Sequence, residues 1–213
     1  MSILIIQTLN SLFYASVLFL IAAGLSLIFG VMRIVNMAHG TFYAVGAFVT
    51  AWLVGRAIAL GVPAGWTFLL LPVGAGAVAA LVLWAVIYRT KFGVMLRATS
   101  QDRRMASALG LNVALVYVSA FAIGCFMAGL GGAIIVPTQT AVLGMGIDAL
   151  ILAFVVVVIG GLGSLQGALV GALIVSFVRT AGIQFFPEIE LAVLYLIAAL
   201  VLLVKPTGLF GTA

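Results

Sequence analysis

Apolar residues run in long continuous stretches along this chain, and polar residues are confined to short intervals between them. Strands of a membrane barrel alternate apolar and polar positions, so the pattern predicts membrane helices rather than a barrel. A helix needs about 20 apolar residues to cross the hydrocarbon core, which gives the chain room for about six. The first is predicted over about 3–30, broken once by Asn10-Ser11, and the second over about 38–60. Gly61 and Pro63 punctuate a turn over 61–65, after which a third span reaches about 88, with Trp66 and Tyr88 at its ends as an interfacial belt requires. A polar stretch covers 89–112. The fourth span covers about 113–136 and is ended by Pro137. A loop then leads to an apolar run over 149–178, interrupted by Gly160-Gly161-Leu162-Gly163-Ser164. The last span is predicted over about 191–204. The fold class expected is an all-α, polytopic integral membrane protein, with one or two of its helices broken or re-entrant, forming one domain over 1–213.

Charge sharpens this picture. Charged residues make up 6% of the chain, against about 25% in a soluble domain, so a water-soluble enzyme is excluded. The net charge of +5 is unevenly spread: five of the nine basic residues lie between 89 and 104, with Asp102 the one acid among them. Short loops rich in Lys and Arg stay in the cytoplasm, so the excess marks a cytoplasmic loop and the lipid bilayer as partner, not nucleic acid. The N-terminus lacks the basic region of a cleavable signal, so the first segment is expected to remain as a span. Counting back from the basic loop places the N-terminus outside and Arg33 inside. If 149–178 crosses once, Lys205 falls outside; if the glycine break folds it into a hairpin, Lys205 falls inside, which the charge rule favours.

Candidate chemistry is sparse. One cysteine, Cys125, and one histidine, His39, supply neither a disulfide nor a zinc ligand set. No metal, cofactor or catalytic residue is expected. Three segments remain. In 97–112, Ser100 or Asp102 can cap a short helix that Gly110 ends in the left-handed conformation. Met105, Ala106 and Leu109 then form a small apolar ridge beside Arg103 and Arg104, fit for a partner's groove, or else a solvated basic loop lies on anionic headgroups. In 29–47, Asn36, His39 and Gly40 mark a break between two apolar helices, either a polar pathway or simple capping of the second helix by Asn36 and His39. In 160–171, Gly163, Gly167 and Gly171 form a packing groove, while Gly160, Gly161, Gly163 and Ser164 open a half-helix that can face an anionic solute. The stretches 29–47 and 149–174 follow one plan, an apolar helix, a short break and a small-residue-rich helix, which is a hint of an internal repeat. There is no G-x-x-x-x-G-K-[ST] loop, and Asp102, Asp148, Glu188 and Glu190 all fall in predicted loops. Coupling to protons usually needs an acid inside the membrane, so energy must come from a partner.

Four motifs carry a resemblance: 24–40 (Gly-Leu-Ser-Leu-Ile-Phe-Gly-Val-Met-Arg-Ile-Val-Asn-Met-Ala-His-Gly), 97–112, 158–168 (Val-Ile-Gly-Gly-Leu-Gly-Ser-Leu-Gln-Gly-Ala) and 206–211 (Pro-Thr-Gly-Leu-Phe-Gly). In this order, over nearly the whole chain, they resemble the permease subunits of branched-chain amino acid ABC importers, some of whose relatives carry urea and short amides. The resemblance implies a bacterial inner-membrane, multi-pass subunit that works with a second related permease, cytoplasmic ATPase subunits and a periplasmic solute-binding protein. It implies that Arg97, Ser100, Asp102, Arg103, Met105, Ala106, Leu109 and Gly110 dock the ATPase, within a coupling loop at 89–112. Asn36, His39, Gly40, Gly160, Gly161, Gly163 and Ser164 are the candidates for the translocation path. The wider coupling signature, E-A-A followed by G, reads here Arg104-Met105-Ala106…Gly110, without the acid. Members of the family also carry at least two further spans between the regions matching 66–88 and 90–97, so this chain is either a compact form or one that has lost a central block. Three other readings stand beside transport: an ATP-independent channel, a non-transporting remnant, and an intramembrane enzyme using Ser164 and His39.

Overall fold

One helix, α1 (Ser2–Met32), forms the centre around which the others assemble. At 1.5 Å per residue its 31 residues span about 46 Å. The computed structural model describes residues 2–61, 78, 81–185 and 188–211. After α1 come α2 (His39–Ala59), a helical stretch α3 over 81–89, α4 (Lys91–Gln101), α5 (Arg103–Ala108), α6 (Val113–Ile135), α7 (Met145–Gly160), α8 (Leu165–Phe185) and α9 (Glu190–Val204). Most of the predicted third span lies outside the described residues. Four helices, α1, α2, α6 and α8, are long and apolar enough to cross a membrane, and α7 and Ala192–Val204 are shorter apolar helices. Asn10-Ser11 does not break α1, contrary to the expectation from sequence. The Ser11 hydroxyl donates to the Gln7 carbonyl one turn back at 2.9 Å, so its polarity is absorbed within the helix.

Small residues set the helix crossings, as expected where lipid supplies no hydrophobic drive and association depends on close packing. On α1 and α6, a Cβ at Gly24 would lie 2.5 Å from the Gly124 carbonyl oxygen, and one at Gly131 would lie 3.4 Å from the Val17 oxygen. As the chain advances on one helix it retreats on the other, so the pair is antiparallel. On α2 and α6 the fit is tighter: a Cβ at Gly46 would lie 2.0 Å from the Gly129 oxygen, and one at Gly132 1.9 Å from the Tyr43 oxygen. α8 returns antiparallel to α1. Gly30 meets Gly163 at one end, the Ser176 hydroxyl donates to the Ser11 carbonyl at 2.5 Å, and Gln7 Nε2 donates to Gln184 Oε1 at 2.6 Å towards the other.

The run predicted over 149–178 is a hairpin of two antiparallel helices. Gly160 lies against Gly167, where a Cβ would approach the Gly167 oxygen to 2.1 Å, and Gly171 lies against the Val156 oxygen at 2.5 Å. The 161–164 turn therefore brings the chain back towards the end at which α7 began, and α9 returns it once more. Arg33, Arg89, Lys91, Arg97, Arg103, Arg104 and Lys205 consequently gather at one end of the bundle, while Asp148, in the first turn of α7, lies away from it. The breaks within 29–47 and 149–174 differ in form. Residues 33–38 make an open return beside α1, whereas 161–164 is a tight turn.

Candidate functional site

At the basic end the chain builds a platform from two short helices where the sequence suggested one. Thr90 caps α4 by accepting from the Gly93 amide at 3.2 Å. Gly93 permits a sharp fold back onto α3, since a Cβ there would lie 2.0 Å from the Ile87 oxygen. Arg97 secures this elbow: its Nη1 donates to the Ile87 carbonyl and its guanidinium sits 5.5 Å from the centre of the Tyr88 ring. Ser100 donates to the Arg97 carbonyl at 2.8 Å and is not the cap of α5. Asp102 is that cap, accepting from the amides of Arg104 and Met105 at 2.8 and 3.0 Å. Gly110, at φ +84°, closes α5. The Leu111 amide donates to Ala106 and the Gly110 amide to Ser107, the paired bonds that satisfy a helix's last carbonyls.

The predicted apolar ridge divides between two faces. Ala106 is 2% exposed and turned inward, while Met105 and Leu109 are 58% and 75% exposed. Arg103 stacks over Tyr117 of α6, with 5.8 Å between guanidinium and ring centre, and stays exposed with Arg104. Because the cap satisfies two orphan amides of a six-residue helix, Asp102→Ala is expected to cost about 1 kcal/mol. Hydrogen exchange should then quicken at residues 103–106 while α6 and α8 keep their protection. Unchanged exchange at 103–106 would contradict the capping role.

The second group lies deeper. Residues 33–38 run back along α1, so that α2 starts beside the middle of that helix. His39 is fully buried, its Nε2 3.0 Å from the Ile21 carbonyl oxygen, which fixes the proton on Nε2. Gly24 makes room for the ring, since a Cβ there would lie 3.1 Å from His39 Cε1. The capping alternative does not hold: the N-cap of α2 is Ala38, with no side-chain bond to the helix. Asn36 closes a local turn by accepting from the Ala38 amide at 3.1 Å, and its Nδ2 approaches Cys125 Sγ at 3.7 Å. Gly40 is pressed against α7, where a Cβ would lie 2.1 Å from the Gly146 oxygen.

The third group, the glycine turn, sits at the basic end. Ser164 caps α8 by accepting from the Gly167 amide at 3.0 Å. Gly161 and Gly163 hold φ of +107° and +81°, a region that side chains other than glycine's disfavour. The C-terminal segment docks here. The amides of Leu209 and Phe210 donate to the carbonyls of Ile159 and Gly160 at 2.9 and 2.8 Å, satisfying the end of α7. The structure thus separates the path candidates. His39 contacts α1 at Ile21 and Gly24, whereas Gly163 contacts it at Gly30, six residues or about 9 Å further along. Sequence reasoning missed α4, the strap formed by 206–211 and the glycines of α6. The Thr90…Gly93 spacing and the Pro206–Gly211 motif were the available signals.

The chain matches the family described as "Branched-chain amino acid transport system / permease component" over residues 7–83 and 75–204. It is 25% identical to the high-affinity branched-chain amino acid transport system permease protein LivH of Escherichia coli K12, over 96% of this chain and 94% of that protein. It is 34% identical to the corresponding permease protein BraD of Pseudomonas aeruginosa, over 59% of this chain and 41% of that one. The ribose import permease protein RbsC of Haemophilus influenzae is 28% identical over 60% of this chain and 40% of its own. No solved structure matches significantly. The LivH alignment is 295 positions long against 213 residues here, so a large part of it falls opposite no residue of this chain. The two matched segments meet at 75–83, beside the region where a central block is expected to be missing. Matched across almost all of its length, the chain belongs to the family of permease components of branched-chain amino acid transport systems and is a multi-pass membrane permease subunit of the ABC-importer class.

Proposed function

We propose that this subunit moves branched-chain amino acids across a bacterial inner membrane, driven by cytoplasmic ATPase subunits that grip α4 and α5. A second related permease completes the pore, and a periplasmic solute-binding protein delivers the solute. The basic end faces the cytoplasm in this reading, because clustered Lys and Arg resist translocation. One observation carries it: a capped α5 at the basic end holds Met105 and Leu109 exposed beside Arg103 and Arg104. That is the form a helix takes when it enters a partner's groove. The other docking candidates, Arg97, Ser100, Asp102, Ala106 and Gly110, act by building and orienting this platform. Closure of the ATPases then tilts α4 and α5, and α3 and α6 transmit the movement. Asn36, His39 and Gly40 stand where α2 begins, beside the middle of α1, and Gly160, Gly161, Gly163 and Ser164 stand at the cytoplasmic exit. No bond-making chemistry is assigned to Ser164 and His39, which sit at different levels of the bundle.

Affinity purification of the tagged full chain from its own membranes is expected to recover an ATPase and a second permease. A chain that elutes alone after mild solubilisation would overturn the reading. One alternative has a specific observation behind it. The region of LivH without a counterpart here favours a remnant that assembles but does not transport. In that case the ATPase co-elutes while uptake of branched-chain amino acids is lost with or without this chain.

A further inference from the structure

A cavity of about 260 Å³ lies at the basic end, between α1, α4 and the α7–α8 turn. Its walls include Ser26, Gly30, Arg97, Ser100, Ser164 and Phe210, and none of the residues that line it is acidic. Four features of this wall favour an anion. Arg97 presents a guanidinium with five N–H groups, of which Nη1 is engaged by Ile87. The Ser164 hydroxyl accepts from the Gly167 amide, which leaves its own O–H to donate. The cavity meets the N-terminus of α8, a 21-residue helix whose dipole is positive at that end. Independently, Ser26 is 1% exposed and its hydroxyl has no hydrogen-bond partner among the described residues, a state that buried polar groups seldom occupy without a ligand or water to satisfy them.

We propose that this cavity binds a phosphate-class anion through Arg97, Ser26, Ser164 and the α8 N-terminus, tying the α4–α5 platform to the α7–α8 hairpin. The site is smaller than the roughly 300–1,000 Å³ of pockets that enclose a drug-sized ligand, so it takes a headgroup or a free phosphate, not a whole nucleotide. The proposal does not depend on an ATPase docking to α5.

The test uses the full chain in lipid discs and reads its unfolding temperature. Three conditions are compared: neutral phosphatidylcholine, discs containing phosphatidylglycerol, and neutral discs with inorganic phosphate against chloride at matched ionic strength. Protection by phosphatidylglycerol alone identifies a lipid headgroup, and protection by inorganic phosphate identifies the free anion. In either case the half-saturating anion concentration is expected to rise about tenfold in Arg97→Gln and to rise in Ser26→Ala, while Lys91→Gln, on the exposed start of α4, leaves it unchanged. Each variant is compared with its own anion-free form, so a loss of intrinsic stability does not obscure the shift. Ser26→Ala carries a second signature: it removes an unpartnered buried hydroxyl and so should raise the unfolding temperature in neutral discs. Absence of protection from both anions, or an equal loss in Lys91→Gln, would overturn the proposal.

Discussion

Gly132→Leu is expected to separate α2 from α6 and to destabilise the protein by upward of about 3 kcal/mol, the upper part of the range for overpacked cores. A Cβ at Gly132 would lie 1.9 Å from the Tyr43 oxygen, 2.8 Å from its carbonyl carbon and 3.0 Å from the Ala47 nitrogen. All three are backbone atoms, so no rotamer change relieves the clash. The helices have to part, and His39 and Gly40 at the head of α2 would lose their seats on α1 and α7. Gly55→Leu is the internal control. It lies on α2, the partner helix of this crossing, with nothing among the described residues within 4 Å of its Cβ position, and replacing glycine within a helix gains roughly 0.5–1 kcal/mol. Thermal unfolding in detergent should therefore fall sharply for Gly132→Leu and hold or rise for Gly55→Leu. Equal unfolding temperatures for the two variants would show that the α2–α6 crossing does not govern stability.

This contrast also explains what the sequence could and could not reveal. Long apolar runs made α1, α2, α6 and α9 visible, because lipid requires that a spanning segment satisfy its own backbone. A cap at Ser100 or Asp102 and a terminator at Gly110 were readable because those roles depend on local chemistry within a few residues, and the structure chose Asp102. The partner of each glycine was not readable. Twenty-five glycines offered no means of telling Gly132, locked against Tyr43, from Gly55, which meets none of the described residues. That distinction depends on which helix arrives opposite, and crossing partners are set by the whole bundle.

His39 shows the same limit from another side. Its place after a polar break suggested a helix cap or a pathway, since a lone histidine carries no indication of depth. The return of residues 33–38 beside α1 takes it to full burial against the Ile21 carbonyl, a contact between positions 18 residues apart. Ala106 likewise looked equivalent to Met105 and Leu109 by spacing alone. α4 decides otherwise: it forms where a polar loop was expected, and α5 then has one face turned inward and one left exposed.

The exposed face of α5 yields the strongest functional expectation. The double variant Met105→Glu, Leu109→Glu should reduce ATPase-driven uptake of leucine by more than about 30-fold, the loss of at least 2 kcal/mol that a central apolar contact supplies at an interface. Its folding should be unaffected, because both side chains are largely exposed and neither takes part in the Asp102 cap or in the carbonyl bonds that close the helix. Ala106→Arg would also stop uptake, but for a different reason. Ala106 is 2% exposed, so an inserted guanidinium would push α5 away from its support and lower the unfolding temperature. Measuring both properties separates docking from folding. The double variant should lose uptake and ATPase co-elution at an unchanged unfolding temperature, whereas Ala106→Arg should lose all three. Normal uptake in the double variant would place the ATPase contact elsewhere on the basic end, on the surface of α4 or on the C-terminal strap. Co-elution retained alongside lost uptake would instead mean that Met105 and Leu109 transmit the stroke without anchoring the partner, and that the grip lies with the exposed arginines.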